Sequence, residues 1–215
     1  MSLNYGTLKT QILEDAHRTA SSQVTAKVDD FVRNAEGIIA RRLRAAEMIT
    51  RTNLTDTDRV TAGEGFYTLP SDFLEARSFY LDASTPVYLE GVSLLEIRTI
   101  SATAPVRYWS VISDGEIEFR GVPSTTDEIE LIYFARPAAF SSDGDTNDIL
   151  TNHESIYLYL ALSALYEYTQ DLELAQAATV AGIAEIDALN EQTSRMLGGG
   201  RTRGFYNFSP YLGTR

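Results

Sequence analysis

The sequence predicts an α+β fold: a helical bundle built from both ends of the chain, a small inserted β-rich domain and an extended C-terminal arm. Near both ends, apolar residues recur at three- and four-residue steps, as on one face of a helix. The middle has short β-branched and aromatic runs between turn residues, which is typical of strands. We therefore expect the bundle in residues 1–50 and 151–197, the β-rich region in 51–150 and a flexible docking arm in 198–215.

The N-terminal region should contain two helices. Thr7 has the side chain of an N-cap for a short first helix. A longer helix is expected from about Ser22 to about Ile49, because apolar residues repeat with helical spacing over that range. Its last turns carry three arginines, Arg41, Arg42 and Arg44. These arginines either complement the helix dipole or form a phosphate site.

The β-rich region should contain six strands and one short helix. The strands are expected at 66–69, 77–81, 87–89, 106–111, 116–119 and 128–134. The sequence Ser-Asp-Gly at 113–115 predicts a hairpin between two of them, and residues 93–100 predict the short helix.

Two helices should complete the bundle. Thr151 and Glu154 have the spacing of a capping box at the start of the first. From residue 156 to 165 nearly every position is apolar or aromatic, so that helix should be buried almost all round. Asp171 should cap the last helix, which runs towards Met196.

The segment after this helix differs sharply from the rest of the chain. The chain has 18 basic and 30 acidic residues, and three arginines but no acidic residue follow position 196. The body of the chain, residues 1–196, therefore has a formal charge of −15, and the tail, residues 197–215, has a formal charge of +3. Because arginine and aromatic side chains often anchor interfaces, this tail is either a docking arm or a frayed terminus. The predicted partner-binding residues are Arg201, Arg203, Phe205, Tyr206, Phe208 and Tyr211.

Composition excludes several functions. A net charge of −12 argues against a clamp on nucleic acid, which needs a cationic face. The absence of cysteine excludes disulfides, thiolate catalysis and cysteine metal sites. No apolar run has the length of a membrane span.

One loop has part of a calcium-binding pattern. Asp143, Asp145, Asn147 and Glu154 fall at positions 1, 3, 5 and 12 of such a loop. However, Asp148 stands at the sixth position, where the sharp turn calls for glycine. A solvated loop is therefore the preferred interpretation, and we expect no calcium binding and no other metal.

No pattern indicates catalysis or a cofactor. His17 and His153 lie on different predicted helices without a metal-binding partner nearby. Ser93 lacks the second glycine of a nucleophile elbow. The carboxylates of Glu116 and Glu118 cannot be distinguished by spacing from a solvated face.

The order of segments resembles that of the bacteriophage head-to-tail adaptor (connector, or head completion) proteins over about residues 7–196. The similar segments are FVRNAEGIIARRLR at 31–44, GFYTLPSDFLEAR at 65–77, EIEFRGVP at 116–123, YFARP at 133–137, TNDIL at 146–150 and the tyrosine-rich helix at 155–168. The second of these is similar to the family's "LPxDFLE" turn.

The resemblance implies a structural virion protein rather than an enzyme. Members form a ring, commonly of twelve copies, beneath the portal of the DNA-filled head, where the ring extends the DNA channel and offers a platform for the tail. The implied partners are the portal protein, neighbouring copies and a tail or stopper/nozzle protein. DNA would pass without specific binding, and no membrane is involved. The protein would be made in the host cytoplasm and located at the head–tail junction.

Two alternatives remain open from the residues themselves. The chain could be another phage neck or tail-completion protein. It could also be a small acidic metal-binding domain or enzyme, an alternative that rests on the loop from Asp143 to Glu154 and on scattered carboxylates.

Overall fold

The computed structural model describes residues 3–61, 64–82, 85–113 and 115–197. Within these ranges lie seven α-helices and a seven-stranded sheet. The prediction of a helical bundle with a small inserted β domain is therefore wrong: the sheet is a large mixed layer, curled into a half-barrel. The prediction underestimated the sheet because its two longest strands lie side by side and link partners that are distant in the chain.

Three helices precede the sheet. They are α1 (Tyr5–Asp15), α2 (Ser22–Thr25) and α3 (Val28–Arg42). Asn4 caps α1, and Thr7 returns the hydrogen bond as the third helical residue, so the prediction that Thr7 is the cap is wrong. The predicted single helix from Ser22 is broken between α2 and α3. It also ends before Leu43, because the backbone N–H groups of the next residues donate to side chains of the last helix.

The seven strands of the sheet lie between residues 49 and 135. The strands are β1 (Ile49–Leu54), β2 (Phe66–Thr68), β3 (Phe73–Asp82), β4 (Val87–Gly91), β5 (Tyr108–Ser113), β6 (Glu116–Arg120) and β7 (Glu128–Ala135). Their order is β1-β7-β3-β4-β5-β6-β2. All neighbours are antiparallel except β4 and β5, which are joined by the short helix α4 (Leu94–Thr99). The predicted short helix and the β5–β6 hairpin are confirmed, whereas β1 was not predicted.

Three further helices follow the sheet. They are α5 (Asp148–Asn152), α6 (Glu154–Tyr168) and α7 (Leu172–Leu197). The Asn147 side chain caps α5 by accepting from the Leu150 N–H, and Thr151 lies inside that helix. The predicted capping box of Thr151 with Glu154 is therefore wrong. The prediction that the helix over 156–165 is extensively buried is confirmed.

Two apolar clusters form the core. One lies among the helices and the other inside the curled sheet. Phe134 of β7 belongs to the helical cluster, and Arg44 after α3 pairs with Glu75 of β3 at 2.8 Å. The sheet and helices thus share an interface. The division into units 1–50 with 151–197 and 51–150 stays a prediction.

Candidate interaction surfaces

All six residues predicted to bind a partner lie in the tail, outside the described residues. They are Arg201, Arg203, Phe205, Tyr206, Phe208 and Tyr211. The structure describes the chain as far as Leu197, the last residue of α7. The docking role of these residues stays a prediction.

The loop with the partial calcium pattern is held by its own hydrogen bonds. The Asp145 carboxylate accepts from the backbone N–H and the hydroxyl of both Ser141 and Ser142, at 2.6–2.8 Å. The Ser142 hydroxyl, followed by the Ser141 backbone N–H, holds the pKa of Asp145 well below its usual range. Asn147, another proposed ligand, caps α5 instead.

The two remaining oxygen ligands of that pattern also lie in other surroundings. Asp143 pairs with Lys9 of α1 at 2.6 Å, and this contact raises the pKa of Lys9. One carboxylate oxygen of Glu154 is buried without a hydrogen-bond partner in the described part of the chain. Across residues 3–61, 64–82, 85–113 and 115–197, no group of three or more histidine, aspartate or glutamate residues could hold a metal ion. The loop instead joins α1 to α5, because the Tyr5 N–H donates to the Asp145 carbonyl.

Three aromatic rings connect this loop to the helices. Tyr5 stacks on Phe140 with centroids 5.1 Å apart, and Phe140 meets Tyr157 of α6 at 5.3 Å. The Tyr5 hydroxyl donates to Asp29 of α3 at 2.6 Å. Burial, followed by this hydrogen bond, raises the pKa of Tyr5. The same bond is the main reason that the pKa of Asp29 is lowered.

A cavity of about 300 Å³ lies beside this aromatic row, between the end of α3 and the segment after β7. We call it the cationic cleft, because Arg41 and Arg136 both line it. Both arginines are exposed, and neither has an ion-pair partner within the described ranges. Glu36 also lines the cleft, where its carboxylate accepts from the Phe140 N–H at 3.0 Å.

The two histidines lie apart. His17 follows α1 with a φ of 52°, in the left-handed region, so it belongs to the turn after that helix. His153 joins α5 to α6, and its Nε2 atom is 3.4 Å from Glu47. Ser93 caps α4 with Glu96 as a capping box. The structure thus gives each of these three residues a position at a helix end.

The two carboxylates considered for acid–base chemistry differ in their surroundings. Glu116 is partly exposed, whereas Glu118 is only 1% exposed, within β6. The Glu118 carboxylate lies 2.7 Å from Arg120 and 3.4 Å from Arg98 of α4. Neither oxygen has a hydrogen bond of good geometry in the described part of the chain, so the ion pairs must offset the cost of burying this charge. This arrangement holds α4 against the sheet.

Sequence reasoning identified the arginines at the end of α3 but gave no role to Arg136. Arg136 lies in the YFARP segment at 133–137, directly before Pro137. No local pattern could pair it with Arg41, because only the packing of α3 beside the end of β7 brings the two to one cavity.

Within the described residues, every helix is too short or too polar to cross a membrane.

Comparison with known protein families identifies the family of this chain. The family model described as SU10 adaptor protein matches residues 3–204 of the chain. The match covers both the helices and the sheet, and it reaches the first two arginines of the tail, Arg201 and Arg203. No curated protein matches the chain.

Proposed function

Since the chain belongs to the SU10 adaptor protein family of phage head-to-tail adaptors, we propose that it forms a ring beneath the portal of the DNA-filled head. The ring extends the DNA channel and gives the tail or stopper protein a surface to bind. The observation that carries this proposal is the family match over residues 3–204. The protein is a structural component of the virion at the head–tail junction.

The charge of the chain supports this role. A net charge of −12 disfavours adhesion to DNA, because like charges repel and no counterions are released from phosphates. A channel wall needs this property, since the genome must slide past without being held. We therefore propose that DNA contacts the ring without specific binding.

The tail is the proposed anchor on the portal. It has a charge of +3 and carries Phe205, Tyr206, Phe208 and Tyr211 among its arginines. Opposite charge guides the approach to an acidic partner, and buried aromatic side chains supply most of the binding energy at such contacts. The tail therefore has the composition of a segment that binds another protein.

Co-sedimentation with the portal protein encoded beside this chain tests the proposal. The intact chain should sediment with portal rings, and a chain truncated after Leu197 should remain folded but stay in solution. If both bind, the adaptor role stands and the docking surface lies on the body. If neither binds, the adaptor role is wrong, and another neck or tail-completion role becomes the better interpretation.

A further inference from the structure

The cationic cleft is unusual in so acidic a protein. Arg41 lies in the last turn of α3, where the helix dipole alone would favour it, but Arg136 follows a strand and gains nothing from that dipole. Both line the same cavity, and neither has an ion-pair partner in the described part of the chain. Guanidinium groups arranged in this way bind carboxylates through paired hydrogen bonds. The cleft therefore fits an acidic side chain from another molecule.

The opposite side of the helical layer carries the complementary charge. Helix α6 lies between α3 and α7. Both of these helices pack extensively against α6, whereas α3 and α7 hardly contact each other. The outer face of α7 exposes small apolar side chains: Ala177, Val180, Ala184 and Ala188. Glu185 and Asp187 are exposed on the two opposite flanks of this face, and neither has an ion-pair partner within the described residues.

We propose that the cationic cleft of one copy binds the outer face of α7 in the next copy, with Arg41 and Arg136 facing Glu185 and Asp187. This inference rests on the proposed ring and names the surfaces that close it. A contact between two different faces of the same chain is heterologous, and repeating it generates a ring when the rotation closes. The short side chains along α7 let a neighbouring backbone approach closely.

A second copy fits the cleft better than DNA does. Binding to DNA relies on several cations that follow the phosphate backbone, whereas this cavity also contains the Glu36 carboxylate. A chain with 30 acidic residues presents carboxylates to each of its neighbours. A contact between the α7 faces of two copies is disfavoured, because it would place their carboxylates against each other.

Charge reversal on each surface tests the contact. One variant carries Arg41→Glu with Arg136→Glu, and a second carries Glu185→Arg with Asp187→Arg. A matched control, Arg18→Glu with Arg107→Glu, makes the same charge change at two exposed arginines that have no ion-pair partner among the described residues. Native mass spectrometry on portal rings counts the bound copies, and thermal unfolding verifies that each variant is folded.

Each reversed variant alone should need about tenfold or more protein to fill the ring, because like charges then face each other at every contact. An equal mixture of the two should restore full occupancy, since both kinds of contact in an alternating ring are again complementary. A chain carrying all four substitutions should behave in the same way. The Arg18 and Arg107 control should assemble like the wild type.

Two results would overturn the inference. In the first, the cleft variant fills the ring as the wild type does; if it also loses affinity for duplex DNA, DNA is the occupant of the cleft. In the second, the mixture assembles no better than either component. Failure of the wild type to bind portal rings is a separate result: it refutes the proposed function, and this inference falls with it.

Discussion

Replacing Glu118 by glutamine should destabilise the protein by about 2–3 kcal/mol. The substitution keeps the size of the side chain but removes the charge that faces Arg120 at 2.7 Å and Arg98 at 3.4 Å. Removing one partner of a fully buried ion pair costs about 3–5 kcal/mol, because it leaves the other charge buried alone. The expected value is lower here, since Arg98 is 57% exposed and can be hydrated. Arg120, at 20% exposure, bears most of the cost.

Chemical denaturation of both proteins at neutral pH measures this difference. Glu116→Gln is the matched control, because it makes the same change two residues away at a partly exposed position on the same strand. The control should change the free energy of unfolding by less than about 0.5 kcal/mol. A double variant, Glu118→Leu with Arg120→Leu, should recover most of the loss, since apolar replacements of a whole buried pair are often neutral. Equal stability of Glu118→Gln and the wild type would refute the argument.

A close backbone contact at Gly65, the hydrogen-bonded Asp145 carboxylate and the aromatic tail can each be tested by substitution. Gly65→Ala should cost about 2–3 kcal/mol in denaturation, because the added Cβ would collide with the Phe119 carbonyl, whereas Gly144→Ala should be neutral, with open space around it. The pKa of Asp145 is lowered in the folded state, so the ionised carboxylate should stabilise the fold at every pH above the usual carboxyl pKa. This stabilisation should disappear as the pH falls through the pKa of Asp145 in the folded protein. Asp145→Asn should therefore remove this part of the acid dependence of thermal unfolding. In the tail, an alanine replacement at Tyr206 should weaken portal binding by about 1–4 kcal/mol in titration calorimetry, and unchanged affinity would contradict the anchor role.

Local patterns predicted the elements that local forces determine. The apolar run over 156–165 gave α6, and the turn before Glu116 gave the β5–β6 hairpin, because burial and turn geometry are encoded within a few residues. β1 was missed because Ile49 continues the helical spacing of the residues before it, while the rest of the strand is mostly polar. Such a sequence is typical of an edge strand, whose outer side remains solvated.

The layer architecture was beyond local reasoning for a physical reason. β7 pairs with β1 on one side and with β3 on the other, and these registers depend on residues distant in the chain. The end of α3 was misplaced because Asn190 and Thr193 of α7 accept the N–H groups that would otherwise continue the helix. The cationic cleft has the same origin, since only the folded chain places Arg136 beside Arg41.

Imaging of portal rings by cryo-electron microscopy, with and without the intact chain, is the decisive test of the adaptor function. At saturating protein, we expect a continuous ring of added density on one end of the portal, coaxial with its channel. Portal rings that remain bare, or that carry the protein at scattered positions away from the channel axis, would contradict the adaptor function.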